Sequence, residues 1–266
     1  MKPRLLDLYC GAGGAAKGYA DCGFEVTGVD IRPQANYPFP FIQDDALEYL
    51  PKHGLDYDAY HASPPCQGYS IMRNLPWLKD KEYPMLIEST RELLNETGKP
   101  WVIENVMGAK LAAGFLCGTM FGKRFYRHRA FEANWLWLSP PHLQHRVTIK
   151  PYPRDNRNFV CPDEVPPTGV VHPGRLINKR ARKIVFSDTE DSRGIKSWPG
   201  RRTEGGHGLT TWSENGIAGG VAHTAGIRAA RAEMECDWMT RYEVTQAIPP
   251  CYTRFIGAQL MKWLEK

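Results

Sequence analysis

Short apolar segments alternate with segments of helical pattern over the first 105 residues. An apolar run bounded by turn residues predicts a strand, and apolar residues three or four positions apart predict a helix. The order of these segments predicts an α/β fold with a doubly wound, mainly parallel sheet. The predicted strands are Leu5–Tyr9, Glu25–Asp30, Phe39–Ile42, Tyr57–Ala62 and Trp101–Glu104, and the predicted helices are Ala15–Cys22, Ala46–His53 and Pro84–Thr97.

The pattern changes at about residue 133, after which prolines and glycines interrupt every long periodic segment. We therefore predict an irregular insertion at residues 136–236, set into a main domain of residues 1–135 and 237–266. Two further helices are predicted, Ala225–Met234 and Tyr252–Leu264. The second is amphipathic and is expected to pack on the first part of the chain.

The charge of the chain is concentrated in one stretch. The net charge is +5, but residues 141–231 hold fifteen Lys and Arg against eight Asp and Glu, about +7. This asymmetry suits a phosphate-rich partner, although a solvated basic surface without a ligand is the alternative. No apolar run approaches the roughly 20 residues that cross a bilayer, and no secretory signal is recognisable. We expect a cytoplasmic protein without a membrane partner.

The seven cysteines have no regular spacing and no CxxC pair. Neither a disulfide framework nor a structural zinc site is therefore predicted. Only Cys66 has surroundings that suggest a chemical role. The other six are predicted to be small buried hydrophobic residues: Cys10, Cys22, Cys117, Cys161, Cys236 and Cys251.

A cluster of glycines, Gly11 to Gly14, lies between the first predicted strand and the first helix. Glycines here let the backbone approach a nucleotide, and Asp30, which ends the second strand, is placed to bind ribose hydroxyls. The close clustering of the glycines and the acidic pair Asp44-Asp45 favour a single adenosine over a dinucleotide. The alternatives are a tight turn without ligand and, for one aspartate, an N-cap of the helix at Ala46.

The segment Ser63 to Ser70, with the sequence SPPCQGYS, follows the fourth strand, where ligands bind in open α/β sheets. Two prolines stiffen the approach and Gly68 permits a sharp bend, so the Cys66 thiol is expected on a rigid, exposed loop. An accessible thiol of this kind is typical of a nucleophile rather than of a buried core cysteine.

Two further motifs carry charged residues. Glu104 ends the fifth strand, beside the fourth, so its carboxyl group is expected to face the same pocket as the thiol; a structural, salt-bridged glutamate is the alternative. Arg127 and Arg129 alternate in a strand-like segment, which predicts that both project to one side. They could hold phosphate or a base carbonyl, although exposed arginines more often form a solvated face.

These motifs, in this order, resemble the cytosine-C5 DNA methyltransferase family. The glycine turn resembles its cofactor motif, Ser63 to Ser70 its Pro-Cys motif, and Glu104 to Val106 its Glu-Asn-Val motif. Arg127 to Arg129 resembles its paired-arginine motif, and Thr245 to Pro250 the last motif, which closes the cofactor pocket. Here Thr245-Gln246 stands where the family usually has Gly-Asn, and Phe125 where it has Gln.

The resemblance implies a Rossmann-like class I methyltransferase fold and transfer of a methyl group from S-adenosylmethionine to C5 of a flipped cytosine, without a metal. Cys66 would attack C6, Glu104 would stabilise the ring at N3, Arg129 would hold O2, and Arg127 would support the loop. The implied cofactor-binding residues are Tyr9, Gly11, Gly13, Asp30, Ile31, Asp45, Ala46, Pro65 and Gln246.

The resemblance also places the target-recognition region at residues 136–236 and implies double-stranded DNA as the partner of a monomeric prokaryotic or phage enzyme. The alternatives are an RNA cytosine-C5 methyltransferase and a catalytically silent module that binds cofactor or DNA. Basic residues of the insertion are candidates for phosphate contacts: Arg175, Lys179, Arg180, Arg182, Lys183, Arg201 and Arg202.

Overall fold

The structure is a computed structural model that describes residues 1–70, 73, 81–112, 114–123, 125–142, 150–151, 211–212 and 226–266. The chain divides into two compact units. The first contains residues 1–120, 128–141 and 246–266, and the second contains residues 121–127 and 142–245.

A seven-stranded sheet forms the centre of the first unit, in the order β3-β2-β1-β4-β5-β7-β6. The first five strands along the chain are parallel to one another, and β7 is antiparallel to both β5 and β6. The predicted α/β fold with a mainly parallel sheet is therefore confirmed. The strands are β1 (Arg4–Leu8), β2 (Glu25–Asp30), β3 (Phe41–Gln43), β4 (Ala59–Ala62), β5 (Trp101–Asn105), β6 (Gly114–Leu116) and β7 (Arg129–Ala133).

Helices cover both faces of this sheet. Tyr60 of β4 belongs to a buried apolar cluster with residues of α2 and α3, whereas the next residue, His61, bonds to Tyr19 of α1. Because neighbouring strand residues point to opposite faces, α1 lies on the face opposite α2 and α3. The helices are α1 (Gly14–Asp21), α2 (Ala46–His53), α3 (Ile87–Glu96), α4 (Gly226–Met234), α5 (Arg241–Gln246) and α6 (Pro250–Leu264).

Several predicted boundaries are wrong by one or two residues, each for a local reason. β1 ends before Tyr9 because that residue has a left-handed backbone, with φ of 58°. β3 begins after Pro40, since proline lacks the N–H group that a strand ladder requires. β4 begins after Tyr57, whose N–H group closes a turn onto the Gly54 carbonyl. α6 begins earlier than predicted, at Pro250, because proline is favoured in the first turn.

α1 and α3 end within one residue of their predicted ends, Cys22 and Thr97, and a glycine lies shortly after each helix. Gly23 follows α1 with φ of 103°, and Gly98 follows α3 with φ of 65°. Both conformations are left-handed, the backbone state in which glycine commonly terminates a helix.

Four of the six cysteines predicted to be buried are buried: Cys10, Cys117, Cys236 and Cys251. The prediction is wrong for Cys22, which is half-buried beyond the end of α1, where its thiol donates to the Arg254 carbonyl. Cys161 lies outside the described residues.

The second unit contains the helix α4 and all of α5 except its last residue, Gln246. The Thr240 hydroxyl accepts from the Glu243 N–H group, and the Glu243 carboxylate accepts from the Thr240 N–H group, so α5 starts with a reciprocal capping box. Lys123 pairs with Glu235 at 2.6 Å. Lys150–Pro151 and Thr211–Trp212 form an antiparallel pair. All seven basic candidates for phosphate contacts lie outside the described residues. In the part of the chain that the structure describes, no helix has the length and apolar character of a bilayer span.

Close packing of α1 on α6 explains a glycine inside α1. A Cβ atom on Gly18 would overlap the Thr253 hydroxyl and the Pro250 carbonyl, and would lie 2.6 Å from the Arg254 backbone nitrogen. We expect Gly18→Ala to lower the free energy of unfolding by about 1–3 kcal/mol, because this overlap outweighs the higher helix propensity of alanine. Urea denaturation measures the change.

The matched control is Gly54→Ala, where the added methyl group meets the flexible side chain of Leu50 first, at 2.8 Å. Since that side chain can move, this variant should be nearly neutral. Equal stability of the Gly18 and Gly54 variants would contradict the packing argument.

Candidate active site

The glycine turn between β1 and α1 is held open for a ligand by its backbone. Gly11 and Gly13 have φ of 49° and 86°, in the left-handed region that favours glycine. A Cβ atom on Gly13 would lie 2.9 Å from Pro38 and 3.0 Å from Tyr37. Packing thus excludes a side chain at Gly13, whereas a Cβ atom on Gly11 would meet nothing within 4 Å, which leaves the backbone there open to a nucleoside.

Asp30 lies at the end of β2, directly beside this turn. Its buried carboxylate accepts from the Gly11 N–H group at 3.1 Å and from the Arg32 N–H group at 3.0 Å. These bonds fix the carboxylate at the carboxyl edge of the sheet, and further lone pairs remain for a ribose. The next residue, Ile31, is 63% exposed, which leaves an apolar surface for a flat ring at the same edge.

The sequence allowed either Asp44 or Asp45 to be the N-cap of the helix at Ala46, and the structure assigns this role to Asp45. It is the N-cap of α2 and accepts from the Leu47 N–H group at 2.8 Å, while Asp44 accepts from the Asp45 N–H group. Ala46 is the first residue of α2 and is buried. Because the cap uses one oxygen of Asp45, the other stays available for an adenine amino group.

A hydrogen bond to a residue of α3 fixes the side chain of Tyr9. Its hydroxyl group and that of buried Thr90 are 2.9 Å apart. Burial raises the pKa of Tyr9 to about 12, so the ring is neutral at physiological pH. Thr90 was not predicted as a site residue, since a threonine inside a helix gives no signal of its tertiary partner.

The last motif packs on the glycine turn. A Cβ atom on Gly14 would lie 2.5 Å from the Ile248 carbonyl and 3.0 Å from Ala247. Gln246 ends α5, directly before these two residues. The close approach involves the backbone after Gln246, so it does not require the Gly-Asn pair that the family usually has.

A turn holds Cys66 at the carboxyl end of β4. The Cys66 carbonyl accepts from the N–H groups of Tyr69 and Ser70, at 3.1 and 3.0 Å. The thiol-bearing residue is half-buried, as is Pro65. A Cβ atom on Gly68 would meet the sulfur of Met85, a flexible and exposed side chain that can move aside. Cys66 is therefore held on a defined turn that solvent reaches.

Asn105 ties this loop to β5. Its buried side chain donates to the Pro64 carbonyl at 2.9 Å and accepts from the Val106 N–H group at 2.9 Å. Asn105 directly follows Glu104, so the loop of Cys66 and the strand end of Glu104 are joined at one edge of the sheet. The sequence motif contained Asn105, but its partner in the loop was not predicted.

Glu104 is buried and pairs with Arg129, the first residue of β7, with 3.0 Å between Oε1 and Nε. The structure therefore contains the salt bridge that was the structural alternative for Glu104. It also brings Glu104 to the same edge as the Cys66 loop. A buried carboxylate that is paired with a cation can also bind a polar ligand at that edge.

Arg127 does not follow the predicted strand pattern. β7 begins only at Arg129, so the alternation that was expected to project both arginines to one side is wrong. Arg127 belongs to the second unit, where its buried guanidinium group donates to the Thr245 carbonyl at 2.8 Å. This contact positions Thr245, the first residue of the last motif.

A chain of hydrogen-bonded polar side chains leads from α1 to the start of the Cys66 loop, and the sequence did not predict it. The Tyr19 hydroxyl is 3.1 Å from Nδ1 of His61, and Nε2 of His61 is 2.8 Å from the Ser63 hydroxyl. Burial lowers the pKa of His61 from 6.5 to about 3. His61 is thus a neutral imidazole that connects α1 with the start of the Cys66 loop.

This shift gives stability a pH dependence. The folded state requires neutral His61, whereas the unfolded chain binds a proton below pH 6.5. The contribution is therefore present above pH 6.5 and is lost as the pH falls towards 3. We expect this residue alone to cost the protein about 2 kcal/mol of stability between pH 7 and pH 5.

Urea denaturation at both pH values tests the expectation with His61→Gln, which should show a smaller loss. The exposed His53, replaced in the same way, should leave the pH dependence unchanged. If His61→Gln kept the full pH dependence of the wild type, other groups would be responsible for it.

The fold and the site together define a class. Seven strands in this order, flanking helices and a glycine turn after β1 form a Rossmann-like class I methyltransferase fold. Residues 3–113 match the family model of C-5 cytosine-specific DNA methylases. The predicted resemblance to the cytosine-C5 DNA methyltransferase family is thereby confirmed.

Comparison with one solved structure, the first of the two below, supports the same fold. A DNA modification methyltransferase encoded within a prophage of E. coli aligns over 100% of both chains, with a TM-score of 0.56 and 15% identity. The Dnmt2 methyltransferase of S. pombe aligns over 100% of this chain and 99% of its own, with a TM-score of 0.49 and 14% identity. No curated protein gave a significant match.

Proposed function

We propose that the protein is a DNA (cytosine-5-)-methyltransferase that uses S-adenosylmethionine and Cys66 as a covalent nucleophile. One observation carries this proposal: the Asn105 side chain joins the Cys66 loop to the strand end of Glu104. A thiol and a carboxyl group at one edge of the sheet are the two groups that attack on C6 and stabilisation of N3 require.

The cofactor supplies an electrophilic methyl group when it is bound. The glycine turn fits this ligand, because a Cβ atom on Gly11 would meet nothing within 4 Å, so the backbone there is open to an approaching group. Asp30 would hold the ribose, and the uncapped oxygen of Asp45 the adenine amino group. The further residues proposed to line this site are Tyr9, Gly11, Gly13, Ile31, Ala46, Pro65 and Gln246.

Cytosine must leave the base stack before Cys66 can reach it, at a cost of a few kcal/mol. The thiolate then forms a bond to C6, and the displaced electron pair is stabilised at N3 by a proton shared with Glu104. Arg129 binds O2 while it keeps Glu104 in place. After C5 has gained the methyl group, a base removes the C5 proton and the bond between sulfur and C6 breaks, which restores both the ring and the thiolate.

Double-stranded DNA is the proposed partner because the stretch at 141–231 is strongly basic, with a net charge of about +7. Residues 136–236 are proposed as the target-recognition region. Arg127 would support the site through its bond to Thr245. The proposed working form is a monomer in the cytoplasm of a prokaryotic or phage-infected cell.

The test is transfer of a labelled methyl group from S-adenosylmethionine to mixed-sequence duplex DNA, with transfer RNA as the competing substrate. We expect label in DNA, recovered as 5-methylcytosine after hydrolysis. Label in RNA alone would overturn the proposed substrate, and label in neither would overturn the proposed enzyme and favour a silent binding module.

A further inference from the structure

Ser63 lies at the point between β1 and β4 where the order of the parallel strands reverses direction. It directly follows β4, and its N–H group donates to the carbonyl of Leu8, the last residue of β1, at 3.1 Å. β2 lies on one side of the β1–β4 pair and β5 on the other. The crevice between two such strand ends is the place where open α/β sheets bind ligands, and half-buried Ser63 stands in it.

The protons of the buried chain can be assigned from its contacts. Tyr19 is fully buried, and among the described residues its hydroxyl has one acceptor, Nδ1 of His61. Its hydrogen must therefore point there, because an unbonded buried hydroxyl is costly. A neutral imidazole that accepts at Nδ1 carries its hydrogen on Nε2, so His61 donates to the Ser63 oxygen.

This direction leaves the Ser63 hydrogen without an acceptor in the part of the chain that the structure describes. Its hydroxyl oxygen is already an acceptor for His61, so the hydrogen is directed away from the imidazole. The hydroxyl is thereby prepared as a hydrogen-bond donor at the β1–β4 crevice.

We propose that Ser63 is a further cofactor-binding residue, whose hydroxyl donates to the α-carboxylate at the methionine end of S-adenosylmethionine. The inference rests on the cofactor assigned under the proposed function. The groups suited to adenosine, Asp30 and Asp45, lie at the end of β2 and beyond β3, whereas Cys66 follows β4. A cofactor that extends from the former to the latter brings its methionine part over Ser63.

The carboxylate is the fitting acceptor on chemical grounds. The methionine part of the cofactor has three polar groups: a sulfonium, an ammonium and a carboxylate. Only the carboxylate accepts hydrogen bonds, and a bond to a charged acceptor is stronger than one between neutral groups. Tyr19 and His61 do not touch the ligand, so they act as positioning residues that keep the Ser63 hydroxyl a donor.

Calorimetric titration with two non-reacting ligands tests the proposal. S-adenosylhomocysteine contains the carboxylate, and its decarboxylated analogue lacks only that group. We expect Ser63→Ala to bind S-adenosylhomocysteine about tenfold more weakly than the wild type, and the decarboxylated analogue within about twofold of it. Ser89→Ala is the matched control, because the Ser89 hydroxyl bonds to its own helix at Leu86.

Equal weakening of both ligands, or of neither, by Ser63→Ala would overturn the carboxylate contact. Tyr19→Phe tests the positioning chain without altering Ser63. The His61 imidazole is then no longer fixed by the Tyr19 hydroxyl. We expect a smaller loss of affinity than in Ser63→Ala, again for S-adenosylhomocysteine and not for the decarboxylated analogue. If Tyr19→Phe kept the wild-type ratio of affinities for the two ligands, the role of Tyr19 and His61 would be overturned. A wild-type protein that binds neither ligand would instead overturn the proposed cofactor, and this inference with it.

Discussion

Cys66→Ala is expected to lower the rate of methyl transfer to DNA by at least about 10³-fold. Without the thiolate no bond forms to C6, so C5 never becomes nucleophilic enough to take a methyl group. The turn around Cys66 is held by its backbone carbonyl and by Asn105, neither of which involves the thiol. Cys66→Ala keeps both of these contacts, so the turn should persist and the loss should appear in the rate.

Duplex DNA containing 5-fluorocytosine makes the covalent step visible. Fluorine at C5 cannot be removed as a proton, so the bond between Cys66 sulfur and C6 should persist and give a complex that survives denaturation. The complex should be absent with Cys66→Ala and present with Cys22→Ala, a half-buried cysteine beyond α1. A Cys66→Ala protein that still formed the complex would place the nucleophile elsewhere.

The local sequence predicted those elements whose ends are marked by local chemistry. β2 and α2 have the predicted bounds because Asp30 directly precedes the turn at Ile31 and because Asp45 caps the helix. α1 and α3 end within one residue of their predicted ends, just before glycines with left-handed backbones. These features depend on neighbours within a few residues, which a sequence pattern contains.

Other features depend on partners far along the chain, and the sequence could not predict them. Tyr19 meets His61 across 42 residues, and Asn105 meets Pro64 across 41. A tyrosine in a helix and a histidine in a strand are ordinary core residues until the fold brings them together. The pairing of β7 between β5 and β6 is also non-local, and the error in the arginine pattern followed from it, since β7 begins at Arg129.

Glu104→Gln is the second variant with a large expected effect, a loss of about 10²–10⁴-fold in the rate of methyl transfer. Glutamine has nearly the same shape and can still form hydrogen bonds, but it cannot provide a proton at N3. Negative charge would then develop on the ring without compensation while Cys66 attacks C6. Formation of the 5-fluorocytosine complex should consequently slow by a similar factor, whereas DNA affinity should change only a few-fold.

Glu132→Gln is the control that separates this role from the loss of an ion pair. Glu132 lies on β7 and pairs with Arg91 at 2.7 Å, much as Glu104 pairs with Arg129 at 3.0 Å. Removing the charge at Glu132 should lower stability and leave the rate of complex formation unchanged. The contrary result is that both variants lose stability while complex formation stays at the wild-type rate in each. Glu104 would then have only the structural role of its salt bridge with Arg129, and the proton at N3 would need another source.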